Sequence, residues 1–168
     1  LIAKLVKFKN LWDRDAPLHE VLPTLYAAHS ERYAGYTLRQ VCNEMHRFYR
    51  DANVKELQRL CFRASSFPEL AMSPKDAYEA LVSNDVDYVP LEDIKDRISA
   101  TLALIYPPGI GVVLPGERWD ERARPMLDYF LTFQESFNRF PGFNYEVQGV
   151  YQEKVDGRIK FHTYVVRK

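Results

Sequence analysis

RISATLALIYPPGIGVVLPGERW, Arg97 to Trp119, is the stretch whose reading decides the fold. Ile98 through Ile105 is a β-branched and leucine-rich run, which predicts a strand. The run ends at Tyr106-Pro107-Pro108-Gly109, where two proline rings fix φ and push the residue before each of them toward extended geometry. Val112-Val113-Leu114 is a second short strand candidate, and Pro115-Gly116-Glu117 closes it with a turn. Such a corner presents Tyr106 and a carbonyl-rich edge with little ordering cost. The plainer reading is a conformational corner that ends a strand.

Working outward, the apolar spacing upstream is helical. Leu1 to about Arg14 reads as an amphipathic helix with Lys4, Lys7 and Lys9 on its wet face, broken at Ala16-Pro17. Leu18, Val21, Leu22, Leu25 and Tyr26 predict a second short helix bent at Pro23, and Ser30 to Tyr36 reads as a loop. Thr37 is an N-cap with Gln40 at capping-box spacing. The helix behind it turns Leu38, Val41, Cys42, Met45, Phe48 and Tyr49 inward, and Arg39, Asn43, Glu44, Arg47 and Arg50 toward water. After Asp51-Ala52-Asn53, Val54 to Phe62 resumes as its antiparallel partner, with Val54, Leu57, Leu60, Cys61 and Phe62 inward. Ser73-Pro74 starts another short helix, Lys75 to Ser83.

Beyond Asn84 the period changes to two over Val86-Asp87-Tyr88-Val89. A helix returns from about Glu121 to Phe140 with a broad apolar stripe. Val147 to Glu153 and Arg158 to Val166 form a hairpin about Val155-Asp156-Gly157. Helices precede most strands, which predicts an α+β fold: helices packed against a small mixed or antiparallel sheet with a C-terminal hairpin, in one domain over residues 1–168.

Lys plus Arg equals Asp plus Glu at 23 each in 168 residues, so net charge supplies no long-range attraction for nucleic acid or an anionic membrane. No apolar run is long enough to span a bilayer, and the start lacks a signal-peptide pattern, which predicts a cytoplasmic protein. Cys42 and Cys61 fit buried reduced thiols better than a disulfide. The chain opens at Leu1 directly into helix, which predicts a segment of a longer polypeptide.

Tyr106-Pro107-Pro108-Gly109-Ile110 and Pro115-Gly116-Glu117 resemble the C-terminal domain of the bacterial ornithine/lysine/arginine decarboxylases that use pyridoxal phosphate. Thr37 to His46, Phe67 to Tyr78, and Pro141-Gly142-Phe143 with Gln148-Gly149-Val150-Tyr151 carry the same resemblance in the same order. The ending and the helix at 37–46 are most similar to the ornithine-specific branch. The resemblance implies a supporting part of a decarboxylase that converts ornithine to putrescine and CO2. It also implies packing beside an upstream cofactor domain, to which residues 1–14 would lead, and a homo-oligomer.

The family's cofactor lysine follows a histidine. Here His19, His29, His46 and His162 precede Glu20, Ser30, Arg47 and Thr163, and the aspartate and phosphate-binding motifs are absent. We therefore expect no catalytic residue and no cofactor in this chain, with pyridoxal phosphate held by the missing upstream part. Tyr106, Pro107, Pro108, Gly109 and Glu117 are the candidates for a substrate entrance or interface. The Glu117 carboxylate could draw a cationic diamino acid; the alternative is that it caps the helix near Asp120 or pairs with Arg97 or Arg118. Glu153 reads as a solvated strand residue and His46 as a hydrogen-bonded residue at a face boundary. His162 has no neighbour at metal spacing, so no metal is expected. The rival to the decarboxylase part is a free-standing protein-binding module that has inherited its fold.

Overall fold

A computed structural model describes residues 1–106 and 109–167. Eight helices run in chain order among these residues: α1 (Ile2–Asp13), α2 (Leu18–Val21), α3 (Pro23–Ala28), α4 (Ser30–Tyr33), α5 (Leu38–Asp51), α6 (Val54–Cys61), α7 (Pro74–Val82) and α8 (Arg124–Arg139). Five strands, β1 (Val86–Pro90), β2 (Leu104–Tyr106), β3 (Glu146–Gln148), β4 (Tyr151–Val155) and β5 (Arg158–Val166), make two antiparallel sheets in the orders β1-β5-β4 and β2-β3. The α+β class holds, and neither sheet is mixed.

Thr37 caps α5 reciprocally: its hydroxyl accepts from the Gln40 amide at 3.3 Å and its own amide donates to the Gln40 side chain at 2.9 Å. Such a cap satisfies two orphan donors and contributes about 1 kcal/mol. Asn53 in the left-handed region (φ 53°) turns the chain into α6. Ser73 caps α7 through the Asp76 amide. The C-terminal helix starts later than its apolar stripe suggests. Asp120 accepts from the Arg122 and Ala123 amides across a 3-10 turn at 121–123, and Pro125 sits in the first turn of α8.

α8 is the central element. It packs against α6 on one side and β5 on the other, burying Met126, Phe130, Phe133 and Phe137 with Trp119, Leu91, Ile94 and Phe161. A second cluster, Leu18, Tyr33 and Val41, forms where the α2–α4 turns meet α5. The Ser30–Tyr36 loop is therefore corrected: Ser30–Tyr33 is a helical turn, because Tyr33 is fully buried and its hydroxyl donates to the Pro141 carbonyl at 2.9 Å. Phe62 is also corrected. It follows the last residue of α6 and is exposed rather than inward.

Glu44, expected in water, is held in a half-buried network. It accepts from Arg32 at 2.9 Å, Arg139 at 3.1 Å and Tyr36 at 3.0 Å, and Arg32 also donates to the Arg139 carbonyl. Burial pushes this carboxyl upward, but the hydrogen bonds from Arg32, Arg139 and Tyr36 together outweigh it and hold the group below its ordinary value. A depressed carboxylate contributes stability that is complete above the unfolded value near 4.3 and is lost as pH falls through the folded one. Glu44→Gln should therefore lower stability by about 1–2 kcal/mol at pH 7 and by much less near pH 3, measured as thermal midpoints. Equal losses at both pH values would show that the charge contributes nothing.

The predicted strand Ile98–Ile105 is broken into three pieces with three different partners. Ile98 to Ala100 lies beside β5, with Val166 N–H donating to Ile98 O at 2.9 Å and Ala100 N–H to Tyr164 O at 3.0 Å. Ala103 bridges Val113, and only Leu104–Tyr106 forms β2, paired with β3. Thr101 makes the break, its hydroxyl bonding both Gly149 O at 3.0 Å and the Thr163 hydroxyl at 2.9 Å. The candidate strand at Val112–Leu114 is likewise a single bridge at Val113.

The C-terminal hairpin is as expected about Asp156-Gly157, pairing Val155 with Arg158. Its predicted first strand is divided at Gly149 (φ +69°), so that β3 leaves to pair with β2. The predicted amphipathic helix α1 forms, yet none of its residues is buried, and Leu5, Val6 and Phe8 lie exposed. Its C-terminal turn alone is anchored, through Arg39 donating to Trp12 O at 2.7 Å.

Candidate functional site at the proline corner

Tyr106 ends β2 opposite Glu146 and is 53% exposed. Gly109 has φ +75°, and a Cβ there would come within 2.7 Å of the Tyr106 ring, so the glycine lets the corner fold tightly against that ring. Pro107 and Pro108 lie outside the described residues. The corner is flanked by the exposed apolar side chains Leu102, Ile110 and Leu114, and a Cβ on Gly111 would touch both leucines.

Glu117 belongs to a different turn. Its carboxylate accepts from its own turn's Leu114 amide at 2.7 Å, and its carbonyl accepts from Ser99 N–H at 2.8 Å. The expected alternatives for Glu117 go to other residues: Asp120 supplies the helix cap, Arg97 pairs with Asp87, and Arg118 pairs with Glu69. Burial pushes the Glu117 carboxyl up, the Leu114 amide opposes this, and the nearby Asp120 charge adds to the rise. The structure thus brings Tyr106 and Gly109 into contact, whereas Glu117 is bonded into the seam between 69–71 and 97–99. There Ala71 N–H donates to Gly116 O at 2.9 Å and Trp119 N–H to Arg97 O at 2.8 Å.

Behind the corner lies a cavity of about 580 Å³ that residue-type reasoning missed. Ile105, Tyr49, Tyr129, Phe133 and Tyr145 form its walls, and Arg50, Lys55 and His46 stand exposed around it. Tyr49 falls on the apolar face expected for α5, and no apolar spacing in the sequence singles out Tyr129 or Tyr145. The signal that distinguishes them is the hydroxyl each carries into a helix interface, which needs either a partner or an opening. Tyr49 finds one in the Ser136 hydroxyl. Burial raises Tyr129 to about 12 and the Cys61 thiol to about 11, so neither supplies an anion near neutral pH.

The remaining expectations divide. His46 is exposed and makes no side-chain hydrogen bond among the described residues, unlike the bonded histidine expected there. Glu153 is a solvated strand residue opposite Lys160. His162 stacks on Tyr88 with ring centroids 5.1 Å apart. Both cysteines are free. Among the described residues, no three His, Cys, Asp or Glu side chains gather as metal ligands, and no helix is long and apolar enough to cross a membrane.

Residues 55–167 match the family model for the Orn/Lys/Arg decarboxylase C-terminal domain. The chain belongs to this family. It is 48% identical over 167 residues to the inducible ornithine decarboxylase of Escherichia coli (strain K12), covering 99% of this chain and 22% of that protein. It is 45% identical over 167 residues to the ornithine decarboxylase of Haemophilus influenzae, covering 99% of this chain and 23% of that one. Among solved structures, lysine decarboxylase A from Pseudomonas aeruginosa superposes with a TM-score of 0.89 at 33% identity, over 99% of this chain and 22% of that one. The chain thus spans about a fifth to a quarter of the length of the decarboxylases it matches. The corner and the Pro115-Gly116-Glu117 turn both lie inside the matched decarboxylase domain.

The lining of this cavity does not fit the family's cofactor. A pyridoxal ring needs a lysine at its aldehyde and a carboxylate at its pyridine nitrogen, and no Asp or Glu lines the cavity.

Proposed function

We propose that this chain is the C-terminal supporting domain of a cytoplasmic, pyridoxal-phosphate-dependent ornithine decarboxylase that forms putrescine and CO2. The observation that carries the reading is 48% identity to an ornithine decarboxylase across nearly the whole chain, against 41% to a lysine decarboxylase of Pseudomonas aeruginosa. Residues 1–168 act as one domain in this proposal, and residues 1–14 lead to the upstream cofactor domain. The catalytic groups and the cofactor belong to that upstream part, and the complete protein works as a homo-oligomer.

The domain's own contribution is a rigid interface. Tyr106, Pro107, Pro108 and Gly109 face the substrate entrance or a neighbouring domain, with Leu102, Ile110 and Leu114 supplying apolar area. The uncovered face of α1, with Leu5 and Phe8 exposed, supports burial against the upstream domain. Glu117 acts chiefly by holding the turn that sets the register of this surface.

The test is kcat/KM for ornithine, lysine and arginine in the complete polypeptide, with Glu117→Gln assayed beside it. Ornithine is expected to be preferred. Glu117→Gln should raise the apparent KM several-fold or weaken assembly, since replacing the charged acceptor of the Leu114 amide costs about 1 kcal/mol. Preference for lysine or arginine removes the substrate assignment, and unchanged kinetics with unchanged oligomer size removes Glu117 from the interface.

A further inference from the structure

The cavity behind the corner lies between α5, α6, α8 and β2, and the decarboxylase reading leaves it without a role. We propose that it is a binding site for a small organic anion with a flat apolar body, of the aromatic carboxylate class. At about 580 Å³ it has the size of a small-molecule site. Its walls are suited to a planar body: Phe133 sits edge-to-face against both Tyr129 and Tyr145, with centroids 5.0 Å apart in each pair, and Ile105 closes one side.

Its polar groups select the sign of the ligand. Tyr129 is 7% exposed, and its hydroxyl has no hydrogen-bond partner among the described residues. That hydroxyl is a donor free to bond an oxygen acceptor that enters the cavity. Arg50 and Lys55 flank the opening. Arg50 meets only the exposed Asp51 carboxylate at 3.4 Å, and Lys55 makes no ion pair among the described residues. No carboxylate lines the cavity, so a cationic amine would find two like charges and no counterion. Burial raises the Tyr129 phenol to about 12, which keeps it a donor throughout the neutral range. The site is therefore the wrong sign for a diamino acid or a diamine, and it stands apart from the proposed decarboxylation.

The test is calorimetric titration of the complete polypeptide with three probes of one shape: phenylacetate, 2-phenylethanol and phenethylamine. Phenylacetate should bind saturably, roughly tenfold tighter than the alcohol, with the amine weakest, because a hydrogen bond to a charged group is worth about 1.5 kcal/mol or more. Tyr129→Phe removes the hydroxyl donor on the wall, and Arg50→Gln with Lys55→Gln removes the flanking charge. Each should weaken phenylacetate roughly tenfold; the loss of the flanking charge should leave the alcohol unchanged, and Tyr129→Phe should weaken the alcohol by less than the carboxylate, since a hydrogen bond to a neutral oxygen is worth less. The variants act on different parts of the cavity, so a folding failure in one leaves the other to decide. Absence of phenylacetate binding at about 10 mM, equal binding of the amine, or indifference to the variants would each overturn the proposal.

Discussion

Gly149→Ala is expected to cost this fold about 3 kcal/mol or more. A Cβ at Gly149 would lie 2.0 Å from the Leu102 carbonyl oxygen and 2.7 Å from its carbon, both backbone atoms that no rotamer change can move. The positive φ of 69° adds its own strain of about 1 kcal/mol for any residue with a Cβ. Relief would require separating Thr101-Leu102 from Gly149, and with it the Thr101 and Thr163 hydroxyl bonds to Gly149 O. The control is Gly157→Ala in the hairpin turn, where φ is +80° but nothing lies within 4 Å of the added methyl. That change should cost only the conformational term, about 1 kcal/mol. Urea unfolding of both variants measures the difference, and equal midpoints would refute the close approach at Gly149.

Phe130→Ala should have the next largest effect, about 3–5 kcal/mol. Phe130 is fully buried on α8, edge-on to Trp119 with centroids 6.4 Å apart, at the junction of the central helix with the rest of the core. Truncation leaves a cavity among fixed neighbours that cannot collapse together. Phe8→Ala on α1 is the contrast. That ring is 49% exposed, so the change should shift the stability of this chain by less than about 0.5 kcal/mol. In the complete polypeptide it should cost more, if α1 is buried there as proposed. A small loss at Phe130 would contradict the placement of the core.

Legibility in the sequence followed how local the determining interaction is. The α5 cap, the Ser73 cap and the Asp156-Gly157 turn were readable because each depends on residues three or fewer apart. Ile98–Ile105 was misread as one strand because its break is set by Thr101 meeting Gly149 and Thr163, forty-eight and sixty-two positions away. Glu44 looked solvated because its partner Arg139 lies ninety-five positions downstream. The family was legible from the proline corner and its companions. The cavity was not, since Tyr49 satisfies the apolar face of α5 as well as it lines an opening, and Tyr129 and Tyr145 join it only through the fold.

The proposed role, supporting decarboxylation without performing it, separates the complete polypeptide from this chain. Ornithine consumption measured side by side, with added pyridoxal phosphate, for the complete polypeptide and for residues 1–168 alone, tests it most directly. Putrescine and CO2 are expected from the complete polypeptide and none from the isolated chain; turnover by the chain itself, or a complete polypeptide inactive on ornithine, would overturn the proposed role.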